Sequence, residues 1–169
     1  MGKRKERKIE IRREKYERSY QIPDCPSRED YSTQREYLID LQEYNIQRGH
    51  FYNCVDGEPL DPDPRAIQTF RRIMNEMSPD DVEGWRIYLD MEGDMVCVEP
   101  TDRVCFNNTY YHVSANIYEG EILIYDYKDT RDCWKEGASN PWRGALSIPK
   151  LKEWMKAMTA KYNITPLHG

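Results

Sequence analysis

The spacing of apolar residues changes at Trp85, and that change limits the chain to folds that set helices against an antiparallel sheet. Before it, Ile67, Phe70, Met74 and Met77 recur at three- and four-residue intervals, the signature of one helix face. After it, WRIYLDMEGDMVCVE and HVSANIYEGEILIYDYK place apolar residues on either side of Glu92-Gly93-Asp94 and Glu119-Gly120-Glu121. Each reads as two strands joined by a tight turn. The sequence thus predicts an α+β fold: an antiparallel β-meander of two tandem hairpins packed with helices, the segment RVCFNNTYY between them supplying at most a short strand.

Helix boundaries follow from punctuation. Ser27 is placed to cap a helix that runs to Arg48 and closes at Gly49, with Tyr37, Leu38, Leu41 and Tyr44 as its apolar face. Asp63-Pro64 supplies the cap and first position of the next, Ser78-Pro79-Asp80-Asp81 a further short turn. A closing helix spans 149–161, with Leu151, Trp154, Met155 and Met158 on one face. The 16 residues DTRDCWKEGASNPWRG before it read as a loop. With 169 residues there is material for one core, so the expected organisation is a basic helical arm over 1–22 and a single acidic domain over 23–169.

Charge separates the two parts. The first twenty residues hold nine basic and four acidic side chains, a net +5, which leaves the remainder at −10. Arg4, Lys5, Lys8, Arg12 and Arg13 of the arm are candidate phosphate or acidic-surface contacts. The body offers acidic clusters at Asp56/Glu58/Asp61/Asp63, Asp80/Asp81/Glu83 and Glu92/Asp94/Glu99, suited to a basic groove. Arg131, Trp134, Trp142 and Arg143 in the long loop are residue types that concentrate binding energy at interfaces.

The catalytic signals are thin. Asp126-Tyr127-Lys128 at a strand end matches half of a metal-dependent nuclease motif, and Asp102 is one candidate for the second carboxylate. Hairpin register decides its neighbours. A two-residue turn at Glu119-Gly120 leaves Asp126 at the end of an apolar face, whereas a three-residue turn with a Gly120 bulge sets His112 opposite it and spares Glu119 a positive φ. No strand is evident after 128 to complete such a site, and the ordinary hairpin is the preferred reading. Five cysteines without a C-x-x-C, with His50 and His112 irregularly spaced, give no standard zinc pattern; Cys133, beside Arg131 and Lys135, lacks a base near it in sequence. No metal or cofactor is expected.

An N-terminus basic from its third residue, with no apolar run near the roughly 20 residues a span requires, gives the expectation of a cytoplasmic protein. The expected function is a non-enzymatic binding or inhibitory protein whose partner is a protein assembly that handles nucleic acid. A metal-dependent phosphodiesterase and a basic-arm nucleic-acid binder are the alternatives.

Overall fold

Proline and small polar residues set the helix starts as anticipated, with one exception. The computed structural model describes residues 24–129 and 142–164, together with Lys3, Arg7, Lys8 and Arg12 of the arm, each of them helical and exposed; for Trp142 it describes the backbone alone. Ser27 introduces only a 3-10 turn, Arg28–Asp30, and makes no side-chain cap. The Arg28 guanidinium donates to the Tyr31 carbonyl at 2.7 Å and to Gln34 Oε1 at 2.9 Å, tying the turn to the start of the next helix. Helix α1 therefore begins later, at Gln34–Arg48, capped by Thr33 and closed by Gly49 at φ 65°. Helix α2 spans Pro64–Glu76 with Asp63 as its cap, α3 is the short Pro79–Val82 with a capping box at Ser78, and α4 is Ile148–Tyr162.

The strands are β1 Trp85–Leu89, β2 Val96–Pro100, β3 Val104–Phe106, β4 Thr109–Tyr118, β5 Glu121–Lys128 and β6 Trp142–Ala145. They form one antiparallel sheet in the order β1-β2-β4-β5-β6, with β3 also paired to β4. The expected meander is present, and it is larger than expected. Asn107 and Asn108, both at positive φ, turn β3 back onto β4, adding a third tight hairpin. β6 pairs with β5 where only loop was expected, Trp142 opposite Ile124 and Arg143 opposite Leu123. At four residues that strand was too short for alternation to reveal.

Helices α1 to α4 pack on one face. Ile87, Val98, Val113, Ala115, Ile117 and Ile122 meet Leu38, Phe70, Ile73, Met74, Leu151 and Met155 in a single core. The central tie is Trp85, 1% exposed, whose ring lies 5.4 Å from that of Trp154 and whose Nε1 donates to Thr159 of α4 at 3.1 Å.

The buried row of α1 is Gln34, Leu38 and Gln42, while Tyr37 and Leu41 of the expected apolar face are only half-buried. β1 is an edge strand, and an uncovered edge carries unpaired backbone groups. Gln34 Nε2 donates to the Trp85 carbonyl at 2.9 Å, and the Leu89 N–H donates to Gln42 Oε1 at 3.2 Å. The helix thus satisfies one backbone group near each end of the strand's edge. Gln42→Ala should lower the unfolding free energy by about 1–3 kcal/mol, the range for a buried donor left without a partner, as read from urea denaturation.

Candidate functional site

Three segments distant in sequence meet at one end of the sheet. The loop 50–63 is docked on the β1–β2 turn: Tyr52 N–H donates to the Met91 carbonyl at 3.0 Å, Cys54 N–H to Glu92 Oε1 at 3.2 Å, and Asp63 N–H to the Gly93 carbonyl at 2.8 Å. The β4–β5 turn joins them through Arg65, which lies 3.7 Å from Asp63 and 3.5 Å from Glu119. Asp56, Glu58, Asp61, Asp63, Asp90, Glu92, Asp94 and Glu119 are thereby gathered at this end. The cations paired with them among the described residues are Arg65 and, through Glu58 at 3.4 Å, Lys8 of the arm.

This acidic end also carries exposed apolar side chains. Val55 is 94% exposed and Met91 54%, and the Tyr52 hydroxyl reaches the Met91 sulfur at 3.0 Å. Tyr118, beside Glu119, is also exposed. Exposed apolar side chains that share a surface with charged ones are the makings of a protein-binding surface. Burial and like charge act together on the titratable groups here. Burial, then Asp90 and Glu92 close by, hold the Asp94 carboxyl above the usual carboxylate range, and burial followed by Glu92 raises the Cys54 thiol.

Because its folded-state pKa is raised, Asp94 favours the folded state below its unfolded pKa and loses that contribution as pH rises through the folded value. At neutral pH the ionised carboxylate therefore opposes folding. Asp94→Asn should melt higher than the parent at pH 7, and the difference should vanish on acidification below the ordinary carboxylate range, as followed by circular dichroism.

The other candidates from the sequence disperse. The two-residue turn is the one adopted, with Glu119 at φ 50° and Gly120 at φ 79°, so Asp126 lies opposite Val113 and His112 opposite Tyr127; the bulged alternative is corrected. The turn keeps Ile117 and Ile122 paired toward the core, which outweighs the strain at one glutamate. Asp126 is held by α4: Lys161 Nζ donates to it at 2.7 Å and the Tyr162 hydroxyl donates to its other oxygen. Each oxygen of Asp126 thus has a partner from α4. Lys128 is exposed at the end of β5, and Asp102 is exposed at the bend between β2 and β3. His112 stacks on Tyr127 at 5.0 Å and shares a 3.1 Å hydrogen bond with Ser114.

Two of the three acidic clusters also change. Asp81 caps α3 and meets Lys152 at 3.5 Å, and Glu83 accepts from the Gln34 N–H at 3.1 Å, so that group has structural partners. Glu99 projects from the opposite sheet face and pairs with Arg86, away from Glu92 and Asp94. Among the described residues no group of three or more His, Cys, Asp or Glu is arranged to hold a metal. Cys97 is buried and its thiol is pushed up to about 12, chiefly by burial, while Cys25, Cys54 and Cys105 are exposed. Arg143 is exposed on β6, 3.5 Å from Glu121. Arg4, Lys5, Arg13, Arg131, Cys133, Trp134 and the Trp142 side chain lie outside the described residues.

What sequence reading missed is that exposed apolar side chains share the acidic end. Val55 and Met91 belong to different segments and come to the same end only when the loop docks on the turn. Compared with known proteins, the chain matches no family model, no curated protein and no solved structure. No helix among the described residues is long and apolar enough to cross a membrane.

Proposed function

We propose that the chain is a non-enzymatic binding protein, inhibitory in action, that sets its acidic end into the basic groove of a nucleic-acid-handling partner. The observation that carries this reading is the convergence of loop 50–63 with two hairpin turns, which collects carboxylates at one end together with Val55 and Met91. Burial first, then the nearby Asp90 and Glu92, raise the Asp94 carboxyl, so its ionised form works against folding, and such a cost is characteristic of sites kept for function. Carboxylates gathered in this way imitate the charge of a phosphate backbone, while exposed Val55 and Met91 supply contact that nucleic acid lacks.

A second reading rests on the arm, whose Lys3, Arg7, Lys8 and Arg12 are helical and exposed, a form suited to phosphate contact. Capture of partners by tagged full-length chain, with and without nuclease treatment of the extract, separates the two. A protein retained after nuclease is expected; recovery of nucleic acid alone would instead favour the arm. The phosphodiesterase alternative draws no support from Asp126, whose two oxygens are taken up by Lys161 and Tyr162.

A further inference from the structure

Lys8 of the arm meets Glu58 at 3.4 Å, and Glu58 stands in loop 50–63, the loop that docks on the β1–β2 turn to build the acidic end. Both side chains are more than half exposed, so this is a surface contact held by charge. We propose that the basic arm covers the acidic end of its own chain, an autoinhibitory contact that a partner's basic groove must displace. The inference rests on the acidic end being the partner site, and it names how that site is regulated.

The order of charges in the arm argues for a defined seat. Glu6, Glu10, Glu14 and Glu17 recur at i, i+4, i+8 and i+11, and Arg4, Lys8, Arg12 and Lys15 repeat the same intervals two residues earlier. At about 100° per residue, two rows offset in this way fall on opposite sides of a helix. Lys3, Arg7, Lys8 and Arg12 are helical, and it is Lys8, a member of the basic row, that reaches Glu58. Like charges at i, i+4 weaken a helix standing alone. An acidic surface laid against the basic row offsets that repulsion, while the glutamate row faces away from it.

The acidic end supplies what the row requires. Asp56 and Asp61 are exposed in the same loop as Glu58, and neither has an ion pair among the described residues. The first twenty residues sum to +5 against −10 for the rest, so the attraction between arm and body is general as well as local. One exposed pair contributes little and is screened by salt, so the cover depends on the whole row and is readily displaced. An acidic end that is open only part of the time binds a basic partner more weakly in proportion, which selects partners basic enough to compete with the arm.

The affinity of the full chain for a fluorescent oligolysine peptide, read by anisotropy at low salt, tests the cover without a natural partner. Failure to capture a protein from extract would therefore count against the proposed function and not against this contact. Lys8→Gln with Arg12→Gln, which takes two charges from the row, should bind the peptide about fivefold tighter than the wild type. Lys3→Gln with Arg7→Gln removes the same charge from outside the row and should stay within about twofold of the wild type. All four side chains are exposed, so both variants should keep the fold. Equal affinities in the two variants, whether both raised or both unchanged, overturn the proposal. Carbodiimide treatment of the wild type, followed by peptide mass spectrometry, should join Lys8 to Glu58 within one chain and lose that link at about 1 M salt. A link found only between isotopically distinct chains overturns the proposal as well.

Discussion

Trp85→Ala is expected to lower the unfolding free energy by about 3–5 kcal/mol, the cost of removing a large buried aromatic. Trp85 links three elements: its carbonyl receives Gln34 of α1, its indole N–H donates to Thr159 of α4, and its ring packs against Trp154. The backbone bond survives the substitution; the indole contacts do not. Thr159→Ala separates the parts, since it removes the hydrogen bond while keeping the ring, and it should cost about 1–3 kcal/mol, the range for a buried donor left without a partner. Urea denaturation of the two variants measures both quantities. Equal losses would mean that the ring itself contributes little to the core.

Gly93→Ala is expected to act on stability and binding together. Gly93 sits at φ 70°, and a Cβ there would lie 2.6 Å from the Cβ and 2.7 Å from the Cα of Pro62. The obstacle is backbone and ring, so loop 50–63 must move away from the turn, taking with it the bond from Asp63 N–H to the Gly93 carbonyl. Gly120 offers the control. It has φ 79°, but a Cβ there meets nothing within 4 Å, so Gly120→Ala should cost only the left-handed strain of about 1 kcal/mol. Gly93→Ala should exceed that severalfold and also abolish partner capture, because the undocked loop carries Val55, Asp56 and Glu58 away from Met91 and Glu92. Equal melting temperatures for the two variants would show that the loop is not anchored through Gly93.

These two residues show where the sequence is legible. The strand containing Trp85 announces itself by alternation, and α2 by its cap and its apolar stripe, because local spacing reflects burial directly. Gln34 and Gln42 read as polar surface, since nothing local indicates that a strand edge will need them. The β3–β4 turn at Asn107-Asn108 is a strong hairpin signal only when the three-residue β3 before it is credited as a strand. The Glu119-Gly120 register was undecided in sequence because two local preferences, turn conformation and facial alternation, oppose each other; burial of Ile117 and Ile122 settles it. For the site, the carboxylates were visible as clusters, but their assignment to one end depends on which segments dock together. That is why Glu99 leaves its group and Met91 joins one.

The most direct test of the acidic-end proposal is capture from nuclease-treated extract by the wild type and by a variant carrying Asp56→Lys, Glu58→Lys and Asp61→Lys. All three positions are exposed and lie outside the core, so the variant should melt with the wild type. The account predicts that the wild type retains a protein partner, that added duplex DNA displaces it, and that the variant retains none. A partner held equally by both chains, or one that DNA does not displace, would contradict it.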